Sequence, residues 1–319
     1  MDALSDLLQA VRLTGGVFLD ARFTAPWCIT SRIDAEDCRP LLAAPLQVIG
    51  YHYVVEGRML VAIDGQRAVE VRAGETVLLP RNDPHLLGSS MDRKPIYAHE
   101  LVQAADSGEL ARIIHGGGGD YTHIVCGFLG SDQHKNPLLT TLPPILTVDM
   151  TQAGSAEWIE SSLRFAIRGL GEGKIGTSTV MRKLSELMFV EAVRRYAETL
   201  PAKQRGWLAG VRDPCVGRAL SLLHGKLDHP WTAEALATEV AMSRSAFAER
   251  FASLVGMPPM RYLTFWRLQV ARDKLREGHR TIAQIAYEVG YEAEAAFTRA
   301  FKREFGIPPT AWRKQAEPD

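Results

Sequence analysis

The 319-residue chain lacks a long hydrophobic run. No apolar stretch reaches the roughly 18 residues that a membrane-crossing helix needs, so a membrane protein is not expected. Net charge is missing too, with 37 Lys and Arg against 37 Asp and Glu, so a global basic excess cannot be what draws this chain to a polyanion. Cysteine is scarce: Cys28, Cys38, Cys126 and Cys215 show no C-x-x-C spacing. Free thiols in a reducing compartment are the expectation, rather than a disulfide frame. A signal-peptide pattern is also lacking, because residues 1–11 alternate Asp2 and Asp6 with Leu4, Leu7 and Leu8, an amphipathic helix. Residence in the cytoplasm, on the nucleoid, follows. The glycine runs lack the context of a phosphate site. No Gly-Lys-Ser/Thr follows 116–119, and Gly169-x-Gly171-x-Gly173 lies between two helical stretches, 155–167 and 177–200. The first reads as a flexible loop and the second as a hinge.

What the sequence does contain is a duplication. The pattern F-x3-F-x4-G-x-P-P-x2-aromatic occupies 247–262 and recurs at 297–312. Each copy follows a second shared pattern, Leu236-Ala237-x-Glu239-Val240-Ala241 before the first and Ile285-Ala286-x-Glu288-Val289-Gly290 before the second. The spacing predicts helix, tight turn, helix. In the first unit, 232–255, Ser243 is the N-cap of the second helix, Met242 can staple onto Phe247, and Gly256 with Pro258-Pro259 ends it. In the second unit, 281–305, Phe297, Phe301 and Phe305 face inward and Gly306 with Pro308-Pro309 stops the helix. Such a unit can place its second helix in the DNA major groove.

At about 100° per residue, the face opposite Phe247 and Phe251 carries Ser245, Ala248, Glu249 and Ala252, with Arg244 at the helix start. The equivalent face of the second unit carries Ala295, Thr298, Arg299, Lys302 and Arg303. Arg299 can make a bidentate contact to guanine, and Lys302 and Arg303 can neutralise phosphate, whereas Glu249 would have to accept from a cytosine amine. The second unit is therefore expected to supply more of the salt-dependent affinity. Between them, 259–276 reads as one helix with the apolar series Tyr262, Leu263, Phe265/Trp266, Val270 and Leu275. At about 1.5 Å per residue it spans roughly 27 Å, suited to holding two reading helices about one DNA turn, roughly 34 Å, apart. The region from Asp213 onward holds 15 Lys and Arg against 13 Asp and Glu, net +2. Charge support is thus local, in Arg299, Lys302 and Arg303 and in Arg267, Arg272, Lys274, Arg276 and Arg280 on or after the connecting helix.

These linked segments resemble the AraC-type transcriptional regulators: WTAEALATEVAMSRSAFAERF, then GMPPMRYLTFWRLQVARDKL, then IAQIAYEVGY with AAFTRAFKREFGIPPTAWR match that family's double helix-turn-helix domain along its length. The resemblance implies binding to double-stranded promoter DNA, with Ser245, Ala248, Glu249, Ala295, Thr298 and Arg299 at positions that usually face bases, and RNA polymerase as a further candidate partner. One departure is Ala293, standing where the second reading helix usually has a Ser or Asp N-cap; losing a cap costs about 1 kcal/mol.

From about residue 17 to 150 the pattern changes to short β-rich runs. Residues 47–55, 58–63, 68–71, 76–79 and 123–128 are strand candidates, with Asp64-Gly65 a hairpin turn, which suits an antiparallel barrel or sandwich. HYVVEGRMLVAIDG followed by RAGETVLLPRNDPH resembles the two cupin motifs of the sensor half of many AraC-type regulators. In such proteins the small barrel senses an effector. Alternation puts His52 and Val54 on one strand face and Tyr51, Tyr53 and Val55 on the other, with His85 after the following turn, so His52, Val54 and His85 are the candidate effector contacts. The H-x-H pair of metal-dependent cupins is absent, so neither metal nor cofactor is expected. His115, Cys126 and His134 surround the glycine-rich segment and read as loop and buried strand.

The expected fold class is α+β and multidomain. A cupin-like antiparallel β-barrel occupies 1–150 and connecting helices 151–200. A linker follows over 201–213, then an all-α double helix-turn-helix domain over 214–319. The helix over 177–200 carries Val180, Leu184, Leu187 and Glu191 in a stripe, beside more apolar residues than one face can hide. Packing of these residues against the barrel is one reading, and a homodimer seam, as in the resembled family, is the functional one. The chain is thus expected to be a non-enzymatic regulator controlled by a small molecule. The rivals are a metal-dependent cupin enzyme fused to a DNA-binding domain, and a cysteine-based redox regulator, which needs Cys126 or Cys28 exposed with a depressed pKa.

Overall fold

A computed structural model of the chain describes residues 13–34, 47–103, 111–131, 137–151, 177–201 and 206–316, together with residues 4, 5, 8, 38, 161, 162, 165 and 169. The helices expected over 1–11 and 155–167 and the glycine hinge fall largely outside these residues, as does His134. The chain divides into two compact units, Val11–Thr199 and Leu200–Asp319 with Met1–Ala10.

The first unit is built on strands β1 (Leu13–Thr24), β2 (Cys28–Ser31), β3 (Gln47–Glu56), β4 (Arg58–Ile63), β5 (Val69–Arg72), β6 (Glu75–Leu79), β7 (His85–Gly88), β8 (Ile96–Tyr97), β9 (Ala111–Gly116), β10 (Tyr121–Ser131) and β11 (Leu146–Asp149). Helices α1 (Ala98–Leu101), α2 (Pro137–Thr141) and α3 (Thr177–Thr199) accompany them. The strands form two sheets, in the orders β11-β6-β3-β10-β1-β9 and β5-β4-β7-β2-β8. They are antiparallel except for the pairs β1/β9 and β2/β8. One core lies between the sheets, fed by Leu19, Ala21, Phe23, Val54 and Ile124 from the first and by Ile29, Met59, Val61 and Leu87 from the second.

Strand β3 departs from simple inside-outside alternation, since Gly50 to Val54 are all buried. The reason is α3, which lies on the outer face of the first sheet: the Tyr51 hydroxyl, on the face opposite Val54, meets Ser185 Oγ of α3 at 2.6 Å. Met181, Leu184, Met188, Phe189, Ala192 and Val193 of α3 are buried, so one whole stripe of that helix serves its own unit.

The second unit is helical, with α4 (Trp207–Arg212), α5 (Pro214–Gly225), α6 (Ala233–Glu239), α7 (Arg244–Val255), α8 (Pro259–Arg276), α9 (Ile282–Glu288), α10 (Glu294–Phe305) and α11 (Pro309–Ala316). The linker expected over 201–213 is corrected by α4, in which Trp207 and Leu208 are 1% and 2% exposed. Burying that indole is worth a few kcal/mol, enough to hold a six-residue helix that has no stability of its own. Trp207 Nε1 donates to the Tyr262 hydroxyl at 3.2 Å, and His224 Nε2 lies 2.8 Å from the same oxygen. This network ties α4, α5 and α8 together.

Helix α8 has the span expected from its proline start and is shared by two small cores. Tyr262, Leu263 and Trp266 serve the first, while Leu268, Ala271 and Leu275 join Ile285, Phe297 and Phe301 in the second. Two neighbours rather than one explain why its buried positions are denser than a single stripe. Helices α7 and α10 both end on a glycine in the left-handed region, Gly256 (φ 83°) and Gly306 (φ 81°).

Candidate nucleic-acid interface and sensor cavity

Helix α7 begins at Ser243, whose side chain accepts from Ala246 N at 3.3 Å. Its Phe247 and Phe251 are fully buried, and Arg244, Ser245 and Glu249 stand exposed with Ala248 half-buried. In α10 the arrangement repeats: Phe297 and Phe301 are fully buried, Ala295, Arg299, Lys302 and Arg303 are exposed, and Thr298 is half-buried. The N-cap Ala293 offers no side-chain bond. Arg299, Lys302 and Arg303 form no salt bridge among the described residues, so their donors are open to a ligand.

The basic residues of the connecting helix are differently placed. Arg267 Nε and Nη2 donate to the carbonyls of Leu227 and His229 at 2.9 and 2.8 Å. Arg272 is 3% exposed. Its Nη2 meets Asp273 at 3.2 Å, and its guanidinium lies 5.9 Å from the Phe305 ring centre. Lys274 and Arg280 share Glu288 at 2.5 and 3.1 Å. These cations, counted in the sequence as local charge support, instead join helices and loops within the unit. In α7, Arg250 is held in the same way by Asp213, the N-cap of α5.

In the first unit a cavity of about 650 Å³ opens between the sheets, lined among others by Ala21, Phe23, Ile33, His52, Ile124 and Cys126. At its floor the Cys126 sulfur lies 2.9 Å from His52 Nδ1, His52 Nε2 lies 2.8 Å from His85 Nε2, and His85 Nδ1 lies 2.9 Å from the Asp83 carbonyl. Burial pushes His52 well below the ordinary imidazole value, and His85 beside it adds to the effect. Burial also takes His85 down, to about 4. At the mouth, Asn82 grips the backbone of Ile33 twice, accepting from its N–H at 3.1 Å and donating to its carbonyl at 2.7 Å. The loop that carries Asp83 thus also holds the cavity rim.

Sequence reasoning placed His52 on the cavity wall and missed its partner Cys126, 74 residues away and aligned only by the pairing of β3 with β10. Val54 sits in the core between the sheets rather than on the cavity lining, and His85 reaches the site through His52. Among the described residues no group of three His, Cys, Asp or Glu is arranged to hold a metal ion. The thiol-switch requirement is not met either. Cys28 and Cys126 are both buried, and burial pushes both thiols above their ordinary value. A second buried polar group went unforeseen on the outer face of the first sheet. Asp20, 5% exposed, accepts from His123 Nε2 and from Arg22 Nη2. Burial pushes its carboxyl up, but those bonds and charges outweigh it and leave the carboxyl below the usual value.

A family model described as a cupin matches residues 2–198, and a helix-turn-helix domain model matches residues 236–315. A protein of Streptomyces antibioticus described as an AraC-like transcription regulator is 34% identical over 321 residues, covering 100% of both chains. One of Streptomyces lividans, described in the same words, is 32% identical over 317 residues and covers 98% of each. The chain belongs to the AraC-like transcription regulators. An AraC-type DNA-binding domain protein of Chromobacterium violaceum with a solved structure is 28% identical, over 34% of this chain and 96% of that one, at a TM-score of 0.32.

As an AraC-like regulator, the protein has its cupin fold and its helix-turn-helix domain in separate compact units. None of its described helices is long and apolar enough to cross a membrane. The helix read as a dimer seam needs correction at one of its four positions. Leu184 is buried on the side of α3 that packs against the first sheet, with Met181 and Met188. Glu191 is held by Arg194 and Arg195 at 2.7 Å each. The apolar residues left outside are Val180, Leu187 and Val190, at 43%, 46% and 37% exposure.

Proposed function

We propose that this AraC-like regulator reads promoter DNA with both α7 and α10, through Arg244, Ser245, Ala248 and Glu249 in the first and Ala295, Thr298, Arg299, Lys302 and Arg303 in the second. The observation that carries this reading is the exposed cationic row of α10, without a salt bridge among the described residues, opposite its buried Phe297 and Phe301. A guanidinium on such a helix face can bond the O6 and N7 of guanine, and lysine beside it can neutralise phosphate. Selection of DNA from a random pool by the full chain should enrich two half-sites about ten base pairs apart. Enrichment of no sequence would overturn the assignment.

The second element of the reading is a homodimer through the outer face of α3. Val180, Leu187 and Val190 recur at helical spacing and remain exposed, and a second copy of the same helix offers the self-complementary surface that a two-fold interface needs. Leu187→Glu should lower the sedimenting mass to that of a monomer. An unchanged mass would count against the seam.

The third is control by a small molecule in the cavity between the sheets. Its volume of about 650 Å³ falls within the range of ligand sites, about 300–1,000 Å³. An effector acts only through different affinities for the states that hold and release DNA. The fusion of a DNA-binding domain to a metal-dependent enzyme has no support in the geometry of His52 and His85, whose ring nitrogens bond each other.

A further inference from the structure

The chemistry of the cavity floor narrows the class of effector, an inference that rests on reading this cavity as the effector site. Its inner wall is made by Leu19, Ala21, Phe23, Ile29, Leu87 and Ile124. The polar atoms at the floor belong to a closed relay whose direction is fixed from one end. The Asp83 carbonyl can only accept, so His85 Nδ1 carries a proton and, in the neutral ring, His85 Nε2 is bare. His52 Nε2 must then donate to it, which leaves His52 Nδ1 bare to accept the Cys126 S–H. Every strong donor and acceptor of Cys126, His52 and His85 is thereby engaged, and only sulfur lone pairs, weak acceptors, remain for a guest.

Among the described residues, formal charge on the lining belongs to Arg32 and Asp34, both exposed and of opposite sign, beside the exposed imidazole of His99. Among the described residues an ion at the floor would meet no counter-charge, and of the lining's other polar groups only Thr30 and Ser31 of β2 and the exposed Tyr97 and His99 can offer it a hydrogen bond, an arrangement that burial penalises. We infer that the effector is an uncharged, largely apolar molecule whose body fills the floor of the cavity, with any polar group turned to the mouth.

The test is displacement of the fluorescent probe N-phenyl-1-naphthylamine from the full chain by 1-alkanols of six to ten carbons and by n-carboxylates and n-alkylammonium ions of equal length. Alkanol affinity should rise about fourfold per methylene, the equivalent of about 0.8 kcal/mol per buried CH2, until the cavity is full. The charged series should bind at least tenfold more weakly. Ala21→Trp, which fills the cavity, should abolish displacement. Leu87→Ala, which enlarges it, should move the best chain length upward, a shift that simple misfolding cannot produce.

Charged members binding as tightly as alkanols, no saturable probe uptake by the wild-type chain, or unaltered binding by Ala21→Trp would each overturn the inference. The selected DNA supplies the separate arm. Alkanols that bind as expected but leave DNA affinity unchanged would sink the effector reading while the cavity chemistry stands. A charged molecule that alters DNA affinity and is blocked by Ala21→Trp would do the reverse.

Discussion

In the first helix-turn-helix unit the residue that turns the chain through the left-handed region is Ala241 (φ 55°), and in the second it is Gly290 (φ 80°). An L side chain at such a φ is strained by about 1–2 kcal/mol, so the first unit holds its turn at a disadvantage. The second unit has glycine for an additional reason: a Cβ there would fall 2.5 Å from Arg267 Nη2, the guanidinium that also bonds the carbonyls of Leu227 and His229. The capping runs the other way. Ser243 caps α7, whereas Ala293 leaves the start of α10 without a side-chain partner. Charge differs as well, since Arg250 of α7 is tied to Asp213 while Arg299, Lys302 and Arg303 of α10 form no salt bridge among the described residues. Duplicated units therefore keep the features set by packing, Phe247/Phe251 and Phe297/Phe301, and diverge wherever the local requirement can be met by another atom.

The largest effect should test the shared part. Phe251→Ala and Phe301→Ala each remove a fully buried ring, and each should lower the stability of the helical unit by about 3–5 kcal/mol in urea unfolding of the full chain. A much smaller loss for one would show that the two cores are not equivalent.

Acid should then separate the units. His224, in the first bundle, is pushed down to about 3 by burial, against about 6.5 in an unfolded chain. The unfolded state binds the proton first, so stability is complete above pH 6.5 and falls as pH drops toward 3. Hydrogen exchange at pH 5 should accelerate in α5 and the start of α8 before it does in α10. His224→Gln should suppress the difference.

Reading of DNA should divide unequally. Arg299→Ala should cost about 1–3 kcal/mol of affinity for the selected site, with relaxed sequence preference at one base pair. Glu249→Ala should change affinity less, and equal losses in a filter-binding titration would contradict the asymmetry of charge. The turn residues should give opposite signs: Ala241→Gly should stabilise by about 1 kcal/mol, and Gly290→Ala should destabilise by about as much or more as Arg267 is displaced. The smallest change is at the cap, where Ala293→Ser should add about 0.5–1 kcal/mol, read as a rise in the unfolding midpoint.

The expected strands at 47–55, 58–63, 76–79 and 123–128 correspond to β3, β4, β6 and β10. Strand β1 is not among the expected strands, because Gly15 and Gly16 interrupt its apolar pattern; the backbone of Phe128 comes so close there that a Cβ on Gly15 would sit 1.9 Å from its carbonyl oxygen. Helix α4 escaped because six residues carry too little periodicity to register. On α3, Val180 and Leu187 of the expected seam are exposed and Leu184 is not, since a helix apolar on several sides does not announce which side meets its own unit.

The sequence by itself determined the two helix-turn-helix units, because their helices are set by residues three and four apart, by caps and by stop signals that lie within one stretch of chain. It also determined which face of α10 carries Arg299, a consequence of helical geometry alone. Only the tertiary structure decided that Arg267, Arg272 and Arg280 serve internal contacts, that Leu184 points inward, and that Cys126, His52 and His85 join in one neutral relay. Those outcomes depend on residues brought together by strand pairing and helix packing, and no periodicity in a single segment encodes the partner that another segment will supply.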